Sequence, residues 1–193
     1  MVLSTGTNKI KTAVFISGTG SNLKSLVEFS KLKKSPISIE LIISDNKLAK
    51  GLRYSSIFQI KKKIINYKNK EIAEKKILNE VEKNKIELVC LAGFMKILSK
   101  NFIKNFIGKI LNIHPSLLPK YKGLNTHQRA IKNKDKYSGC TVHFVNSKLD
   151  SGKIILQKKV NILKKDTPIS LAKKILAQEH KLYPKAILKI FSL

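Results

Sequence analysis

An asparagine and a histidine stand two residues apart at the end of a predicted strand, in the segment 111–119. Side chains two apart on a strand face the same side, so Asn112 and His114 are expected to point into one space. Pro115 and Pro119 end regular structure and stiffen the following turn. An amide donor beside a titratable imidazole suits the stabilisation of a tetrahedral oxyanion. A strand end with a capping asparagine and a surface histidine is the simpler alternative for this pair alone.

A glycine-rich segment, 18–22, lies between a predicted buried strand at 12–17 and a helical pattern that begins at Leu23. Backbone N–H groups and the positive end of a helix dipole converge at such a point and favour an anion. A dinucleotide fingerprint has a third glycine where this chain has Leu23, and no acidic residue clearly ends the second strand. The loop therefore suits a single phosphate, and a tight turn capped by Ser21 or Asn22 is the alternative.

A carboxylate, Asp150, follows a predicted strand and a polar loop. If it reaches His114, it would hold one tautomer of the imidazole and favour the protonated ring. The residues Asp-Ser-Gly also favour a turn, so the alternative is that Asp150 only shapes a turn.

His143 alternates with two apolar neighbours on its strand. A structural role is favoured for this histidine over a direct role in the chemistry.

The histidines and cysteines do not form a metal-binding pattern. No two histidines have the i, i+4 spacing of a zinc helix, and neither Cys90 nor Cys140 joins them. Cys90 lies in an apolar run, and no disulfide is expected between the two cysteines. We therefore expect no metal site. The serine elbow of hydrolases and the signature of catalytic cysteines are also missing.

The formal charge of +27 suggests a nucleic-acid partner, but the kind of charge argues against one. Only Arg53 and Arg129 are arginines, so 37 of the 39 basic residues are lysines, and these are spread over the whole chain. Arginine is the usual residue for bidentate recognition of bases and phosphates. A lysine-rich, arginine-poor composition is typical of codon bias. No specific nucleic-acid partner is expected, although a basic surface attracts anionic substrates over long distances.

The 193 residues are expected to form a single domain located in the cytoplasm. No apolar run approaches the roughly 20 residues needed to cross a bilayer, and the N-terminus lacks a signal-like apolar region. Neither an internal repeat nor a linker divides the sequence, and its length allows a substantial core. Contact with a membrane is not expected.

Strands and helices alternate through the first part of the chain. β-branched and apolar runs predict buried strands, with a third strand at 63–66, and amphipathic segments between them predict helices. This order predicts an α/β fold with a mostly parallel twisted sheet and helices on both faces. After Pro119 the pattern changes to a loop, a short helix, two more strands, and a long helical pattern that Pro184 is expected to interrupt.

Five motifs occur in a fixed order: Ser-Gly-Thr-Gly-Ser-Asn-Leu at 17–23, Leu-Ala-Gly-Phe-Met-Lys-Ile-Leu-Ser at 91–99, the segment 111–119, Thr-His-Gln-Arg-Ala at 126–130, and Val-His-Phe-Val at 142–145 with Leu-Asp-Ser-Gly at 149–152. Together they closely resemble the phosphoribosylglycinamide formyltransferase family, the folate-dependent enzymes of purine synthesis. The resemblance runs from about Thr12 to about Ile187. It implies a Rossmann-like formyltransferase fold with antiparallel strands at the C-terminal end.

The resemblance also implies roles by position. The family's catalytic trio falls on Asn112, His114 and Asp150. Positions that contact glycinamide ribonucleotide, including the loop for its phosphate, are Gly20, Ser21, Asn22, Pro115 and Glu179. Positions that bind the folate are Lys70, Met95, Lys96, Ile97, Leu98, Asn112, Asn146 and Asp150. Lysine stands at positions 70 and 96 where arginine is common, which keeps the charge but loses the planar fork.

The implied activity is transfer of the formyl group of 10-formyltetrahydrofolate, a co-substrate, to the amine of glycinamide ribonucleotide. The amine attacks directly through a tetrahedral intermediate, without a metal and without a covalent bond to the enzyme. The implied partners are these two small molecules, with no specific nucleic acid and no membrane. The chain is expected to be a monomer or a weak homodimer.

Three alternatives remain open. Methionyl-tRNA formyltransferase also has a Ser-Leu-Leu-Pro block, here at 116–119, but usually carries a C-terminal β-domain that 193 residues are not expected to hold. Formyltetrahydrofolate hydrolase transfers the formyl group to water, and its usual N-terminal regulatory domain is not expected before Thr12. A non-enzymatic nucleic-acid binder is suggested by charge alone, and the trio of candidate catalytic residues argues against it.

Overall fold

The computed structural model describes residues 9–191, which form seven strands and six α-helices. The strands are β1 Ile10–Ile16, β2 Ile37–Ser44, β3 Lys61–Ile64, β4 Leu88–Leu91, β5 Lys109–His114, β6 Tyr137–Phe144 and β7 Ile154–Asn161. The helices are α1 Ser21–Ser30, α2 Arg53–Phe58, α3 Lys70–Lys83, α4 Lys100–Asn105, α5 Thr126–Lys132 and α6 Pro168–Phe191, with a 3-10 turn at Lys50–Leu52. The sheet order is β3-β2-β1-β4-β5-β6-β7. β1 to β5 run parallel, whereas β6 is antiparallel to β5 and β7.

Both faces of the central strands are buried, because their side chains alternate between two apolar clusters. On β1, Val14 and Ile16 face the cluster that α1, α2, α5 and α6 cover. Ala13 and Phe15 face the cluster that α3 and α4 cover. A parallel strand that is covered on both faces has a continuous run of apolar residues in its sequence. The predicted α/β fold, with helices on both faces and antiparallel C-terminal strands, is confirmed.

The edge strand β3 lies two residues earlier than predicted. The sequence favoured 63–66, but β3 pairs with β2 from Leu41 opposite Lys61 to Ser44 opposite Ile64. All four residues of β3 are exposed, so no alternation of buried and exposed residues marks its position. Its three lysines suit an edge strand, because charged side chains discourage pairing with a further strand.

The last helix, α6, continues through Pro184, where the sequence predicts an interruption. Proline has no N–H to donate to the carbonyl four residues earlier, which here belongs to His180. The Ser25 hydroxyl of α1 donates to that carbonyl at 2.8 Å. Packing of α1 against α6 therefore supplies the missing hydrogen bond, and the helix remains continuous.

The direction in which strands are added reverses at β1. β2 and β3 are added on one side of it, and β4 and β5 on the other. In open α/β sheets, ligands bind beyond the carboxyl ends of the strands at such a switch point. The motifs at 17–23 and 91–99 follow β1 and β4, so the sheet brings both to this position.

Candidate active site

A cavity of about 930 Å³ opens beyond the carboxyl ends of β1, β4 and β5. The structure brings nearly every site residue predicted from the sequence to its lining: Gly20, Ser21, Asn22, Met95, Lys96, Ile97, Leu98, Asn112, His114, Pro115, Asn146, Asp150 and Glu179. Lys70 is the exception, because it is the first residue of α3 and does not line this cavity. The folate-binding role implied for Lys70 stays a prediction.

Asn112 on β5 lies directly opposite His143 on β6. Its amide nitrogen is 3.2 Å from Nε2 of His143, and Nδ1 of His143 is 2.8 Å from the Phe144 carbonyl oxygen. A carbonyl only accepts, so Nδ1 carries the hydrogen and Nε2 accepts from the amide. Burial lowers the pKa of His143, which favours this neutral ring. The hydrogen bond orients the Asn112 amide, whose second N–H is available to the cavity.

His114 is the last residue of β5, and both of its ring nitrogens face oxygen acceptors. Nε2 lies 2.9 Å from the carbonyl oxygen of Tyr121, and Nδ1 lies 3.3 Å from Oδ2 of Asp150. Each of these oxygens can accept a hydrogen bond from the ring nitrogen that it faces. Asp150 lines the cavity and Tyr121 does not. Nδ1 is therefore the ring nitrogen on the cavity side.

Asp150 stands in a turn after β6 with a left-handed backbone, at a φ of 44°. This conformation places its carboxylate between two histidines, with Oδ1 3.7 Å from Nε2 of His143 and Oδ2 beside His114. The backbone N–H of Gly123 donates to Oδ2 at 2.8 Å. The turn aspartate and the carboxylate partner of His114, which the sequence left as alternatives, are thus the same residue.

The N-terminus of α1 faces the cavity without a side-chain cap and without an acidic residue in its first turn. The side-chain cap that the sequence offered as an alternative is therefore not present. The first N–H groups of a helix have no partner within it, and together with the helix dipole they favour an anion. Gly20 has a φ of 73°, and a Cβ there would lie 2.6 Å from the Cα of Gly51. Only glycine fits this close approach.

Glu179 of α6 lies beside this helix end and accepts a hydrogen bond from Nδ2 of Asn22 at 2.7 Å. Burial raises the pKa of its carboxyl. Oδ1 of Asn22 is buried and has no hydrogen-bond partner within residues 9–191. Glu179 and Asn22 therefore offer acceptors for hydroxyl or amine donors of a ligand whose phosphate is bound at α1.

The raised pKa of Glu179 makes stability depend on pH. A carboxyl pKa that is higher in the folded chain contributes stability that is complete below the unfolded value and is lost as pH rises through the folded value. Glu179→Gln keeps an acceptor for Asn22 but carries no charge. We expect this variant to gain unfolding free energy over the unchanged chain as pH rises from about 4.5, as measured by urea unfolding between about pH 4 and pH 8.

The matched control for this experiment is Glu40→Gln, which removes an exposed carboxylate of β2. We expect its stability difference from the unchanged chain to stay nearly constant across the same pH range. A Glu179→Gln difference that is equally constant would contradict the assigned cost of burying this charge.

Five of the side chains that line the cavity are apolar and remain exposed, and we refer to them together as the apolar wall: Met95, Ile97, Leu124, Leu149 and Ile169, each 48–72% exposed. Clustered exposed apolar side chains mark binding sites. Ser17 connects the backbone of Met95, one residue of this wall, to Asp45. Its hydroxyl donates to Oδ1 of Asp45 at 2.5 Å and accepts from the Met95 N–H at 2.8 Å. The apolar part of a ligand can pack against these side chains.

Known proteins resemble this chain in sequence and in fold. The Formyl transferase family matches residues 10–187. The human trifunctional purine biosynthetic protein adenosine-3 is 42% identical over 182 residues, which are 93% of this chain but only 18% of that protein's length. The phosphoribosylglycinamide formyltransferase of Haemophilus influenzae is 42% identical over 180 residues, which are 92% of this chain and 85% of that protein. This chain belongs to the phosphoribosylglycinamide formyltransferase family. The crystal structure of the phosphoribosylglycinamide formyltransferase from Brucella melitensis is similar, with a TM-score of 0.89 and 40% identity over 95% of this chain and 96% of that one.

Several residues of this chain contact the predicted trio although the sequence did not indicate it. His143 contacts Asn112, and the Tyr121 carbonyl contacts His114. The alternation of His143 with apolar neighbours was a usable signal, but its partner depends on the antiparallel register of β5 and β6. No signal in the sequence could have shown the contact of Tyr121, because it is made by the backbone.

Proposed function

We propose that this chain, as one formyltransferase domain over residues 1–193, transfers the formyl group of 10-formyltetrahydrofolate to the amine of glycinamide ribonucleotide in purine biosynthesis. One observation carries the proposal. Asn112, His114 and Asp150 line the same cavity as the uncapped N-terminus of α1 and the apolar wall. Groups for a phosphate, for a flat ring and for a developing oxyanion are therefore present in one space.

The ribonucleotide binds at the end of the cavity nearest α1. Its phosphate accepts hydrogen bonds from the backbone N–H groups at the start of α1, with Gly20 allowing close approach and Ser21 adding a hydroxyl. Glu179 and Oδ1 of Asn22 accept from hydroxyl or amine groups farther along the ligand. Pro115, which follows His114 in the lining, completes this part of the site.

The formyl donor binds along the apolar wall. Its ring system packs against the segment 95–98, and Asn146 adds an amide from the loop after β6. Lys96, Lys148 and Lys173 also line the cavity and suit the carboxylates of the folate tail. Lys96 already lies 3.6 Å from Asp45, so it is held in place at its position before the ligand binds.

The trio acts on charge that develops at the formyl oxygen. As the amine attacks the formyl carbon, this oxygen becomes negative and needs donors that are already oriented. The free N–H of Asn112 donates from the cavity side, and the Nδ1–H of His114, which faces Oδ2 of Asp150 at 3.3 Å, is shared between that carboxylate and the formyl oxygen. The carboxylate of Asp150, 3.3 Å from Nδ1, orients the imidazole ring.

A proton must also move during the reaction. The bond from the amine nitrogen to the formyl carbon forms, the bond from the folate nitrogen to that carbon breaks, and one proton passes from the first nitrogen to the second. Asp150 lines the cavity beside His114, so it accepts the proton of the amine through a bound water and returns it to the departing nitrogen. The transfer described in this way needs neither a metal nor a covalent bond to the enzyme.

A comparison of acceptors tests the proposal. The purified chain is given 10-formyltetrahydrofolate with glycinamide ribonucleotide, with buffer alone, or with methionyl-tRNA, and loss of the formyl donor is followed. We expect turnover only with the ribonucleotide. Equal turnover in buffer alone would assign a hydrolase instead, and turnover only with methionyl-tRNA would assign a tRNA formyltransferase.

The excess of lysine is expected to give only weak binding to nucleic acids. A charge of +27 attracts any polyanion at low salt, but sites for single strands interleave basic and stacking aromatic groups, and aromatic residues are only 7% of this chain. An electrophoretic shift assay at about 0.15 M salt, where the Debye length is about 8 Å, should show weak binding indifferent to sequence. Tight or tRNA-selective binding there would contradict this expectation.

The remaining parts of the proposal concern assembly and location. The chain acts in the cytoplasm as a monomer or a weak homodimer, and sedimentation over a range of concentrations tests the second statement. Among the helices formed by residues 9–191, none has both the length and the apolar character of a membrane span.

A further inference from the structure

Tyr121 is held in place by polar contacts that lie outside the cavity. Its hydroxyl donates to Oδ2 of Asp135 at 2.7 Å and accepts from the amide of Asn133 at 2.9 Å. Nζ of Lys120 lies 2.8 and 2.9 Å from the two oxygens of Asp135, and the guanidinium of Arg129 lies 4.9 Å from the centre of the Tyr121 ring. The side chain of Asp135 is 13% exposed.

The backbone of Tyr121 has a conformation that needs such support. Its φ is 56°, in the left-handed region that is unfavourable for a residue with a bulky side chain. In this conformation the Tyr121 carbonyl oxygen lies 2.9 Å from Nε2 of His114. The contacts of the side chain with Asp135 and Asn133 therefore determine where an acceptor for the catalytic imidazole is placed.

We propose that Tyr121 and Asp135 are positioning residues that hold His114 with Nε2 turned away from the substrates and Nδ1–H turned towards them. The Tyr121 carbonyl accepts a hydrogen bond from Nε2 at 2.9 Å, and Asp150 faces Nδ1 at 3.3 Å. With both acceptors in place the ring cannot rotate without losing one of these contacts. Neither Tyr121 nor Asp135 lines the cavity, so each acts through His114 and not on a substrate.

Removal of one hydroxyl tests this inference, which rests on the proposed function. Tyr121→Phe keeps the ring and the backbone but loses the hydrogen bonds to Asp135 and Asn133. We expect kcat to fall about tenfold because His114 is held less firmly, while KM for both substrates changes less than about twofold. In ¹⁵N-labelled protein, the Nε2 signal of His114 should shift, because its contact with the Tyr121 carbonyl is weakened.

A matched control is Tyr137→Phe. Tyr137 is the first residue of β6, it is 45% exposed, and the ammonium of Lys159 lies 3.4 Å from the centre of its ring. This variant should keep the kcat and the His114 signals of the unchanged chain. Asp135→Asn, which still offers an oxygen to the Tyr121 hydroxyl, should retain more activity than Asp135→Ala.

The outcomes separate the inference from the proposed function. If the unchanged chain transfers no formyl group, the proposed function fails, and the nitrogen signals of His114 still decide the positioning role. Unchanged signals and an unchanged kcat in Tyr121→Phe would overturn the inference, as would a rise in KM with constant kcat. If Tyr121→Phe does not fold, Asp135→Asn is compared with Asp135→Ala instead. Equal kcat values in these two variants would then overturn the inference.

Discussion

His114→Ala should lower kcat for formyl transfer by about 100- to 1000-fold, the usual cost of losing one donor to a developing oxyanion, on the order of 3 kcal/mol. The affinity for both substrates should change little, because the charge that Nδ1 stabilises exists only in the transition state. Single-turnover kinetics, together with separate titrations of each ligand, separate the two effects.

A matched control for this variant is His180→Ala, which removes another partly buried imidazole that does not line the cavity. This change should leave kcat close to that of the unchanged chain, whatever it does to stability. A His114→Ala enzyme with turnover within about threefold of normal would remove His114 from the proposed mechanism.

Asp150→Asn should show the same separation of kcat from affinity. An asparagine oxygen can still accept from the Gly123 N–H, so the turn should keep its shape, but the countercharge of the His114 imidazolium is lost. The fall in kcat should again be on the order of 100-fold. Recovery of the normal rate with asparagine would show that the carboxylate only shapes the turn.

The second large effect is expected in the glycine-rich segment 18–22, where we propose that the phosphate of the ribonucleotide binds. Gly20→Val introduces a Cβ that would lie 2.6 Å from the Cα of Gly51, at a φ of 73° that valine does not accept. The loop must shift, and a phosphate loses the close approach to the N–H groups of α1. Losing about two charge-assisted hydrogen bonds costs about 3 kcal/mol, so the Kd for the ribonucleotide should rise about 100-fold or more.

Gly18→Ala is the matched control, because a Cβ at position 18 meets no atom within 4 Å. Calorimetric titration of each ligand alone, on variants first shown to be folded, gives the comparison. Folate binding should stay close to normal in Gly20→Val. An equal loss of affinity for both ligands would mean that the loop is structural and not a phosphate site.

Short-range patterns in the sequence predicted the elements of the site. The glycines at 18 and 20 could be placed between a strand and a helix, because glycine tolerance and helix starts depend on a few neighbouring residues. The same holds for Asn112 and His114, since the two-residue period of a strand alone puts them on one face. The five motifs and their order then pointed to the family and to a cavity that the structure contains.

Contacts between distant segments were decided only by the tertiary structure. His143 orients Asn112 because β6 is antiparallel to β5 in one register, and a shift of one residue would turn His143 to the other face. α6 remains continuous because Ser25 of another helix bonds the carbonyl that Pro184 leaves free. The sequence by itself therefore predicted which groups line the cavity and on which element each lies. Which atoms of those groups face the cavity depends on strand register and on backbone oxygens such as that of Tyr121, and residue types give no signal for the position of a backbone oxygen.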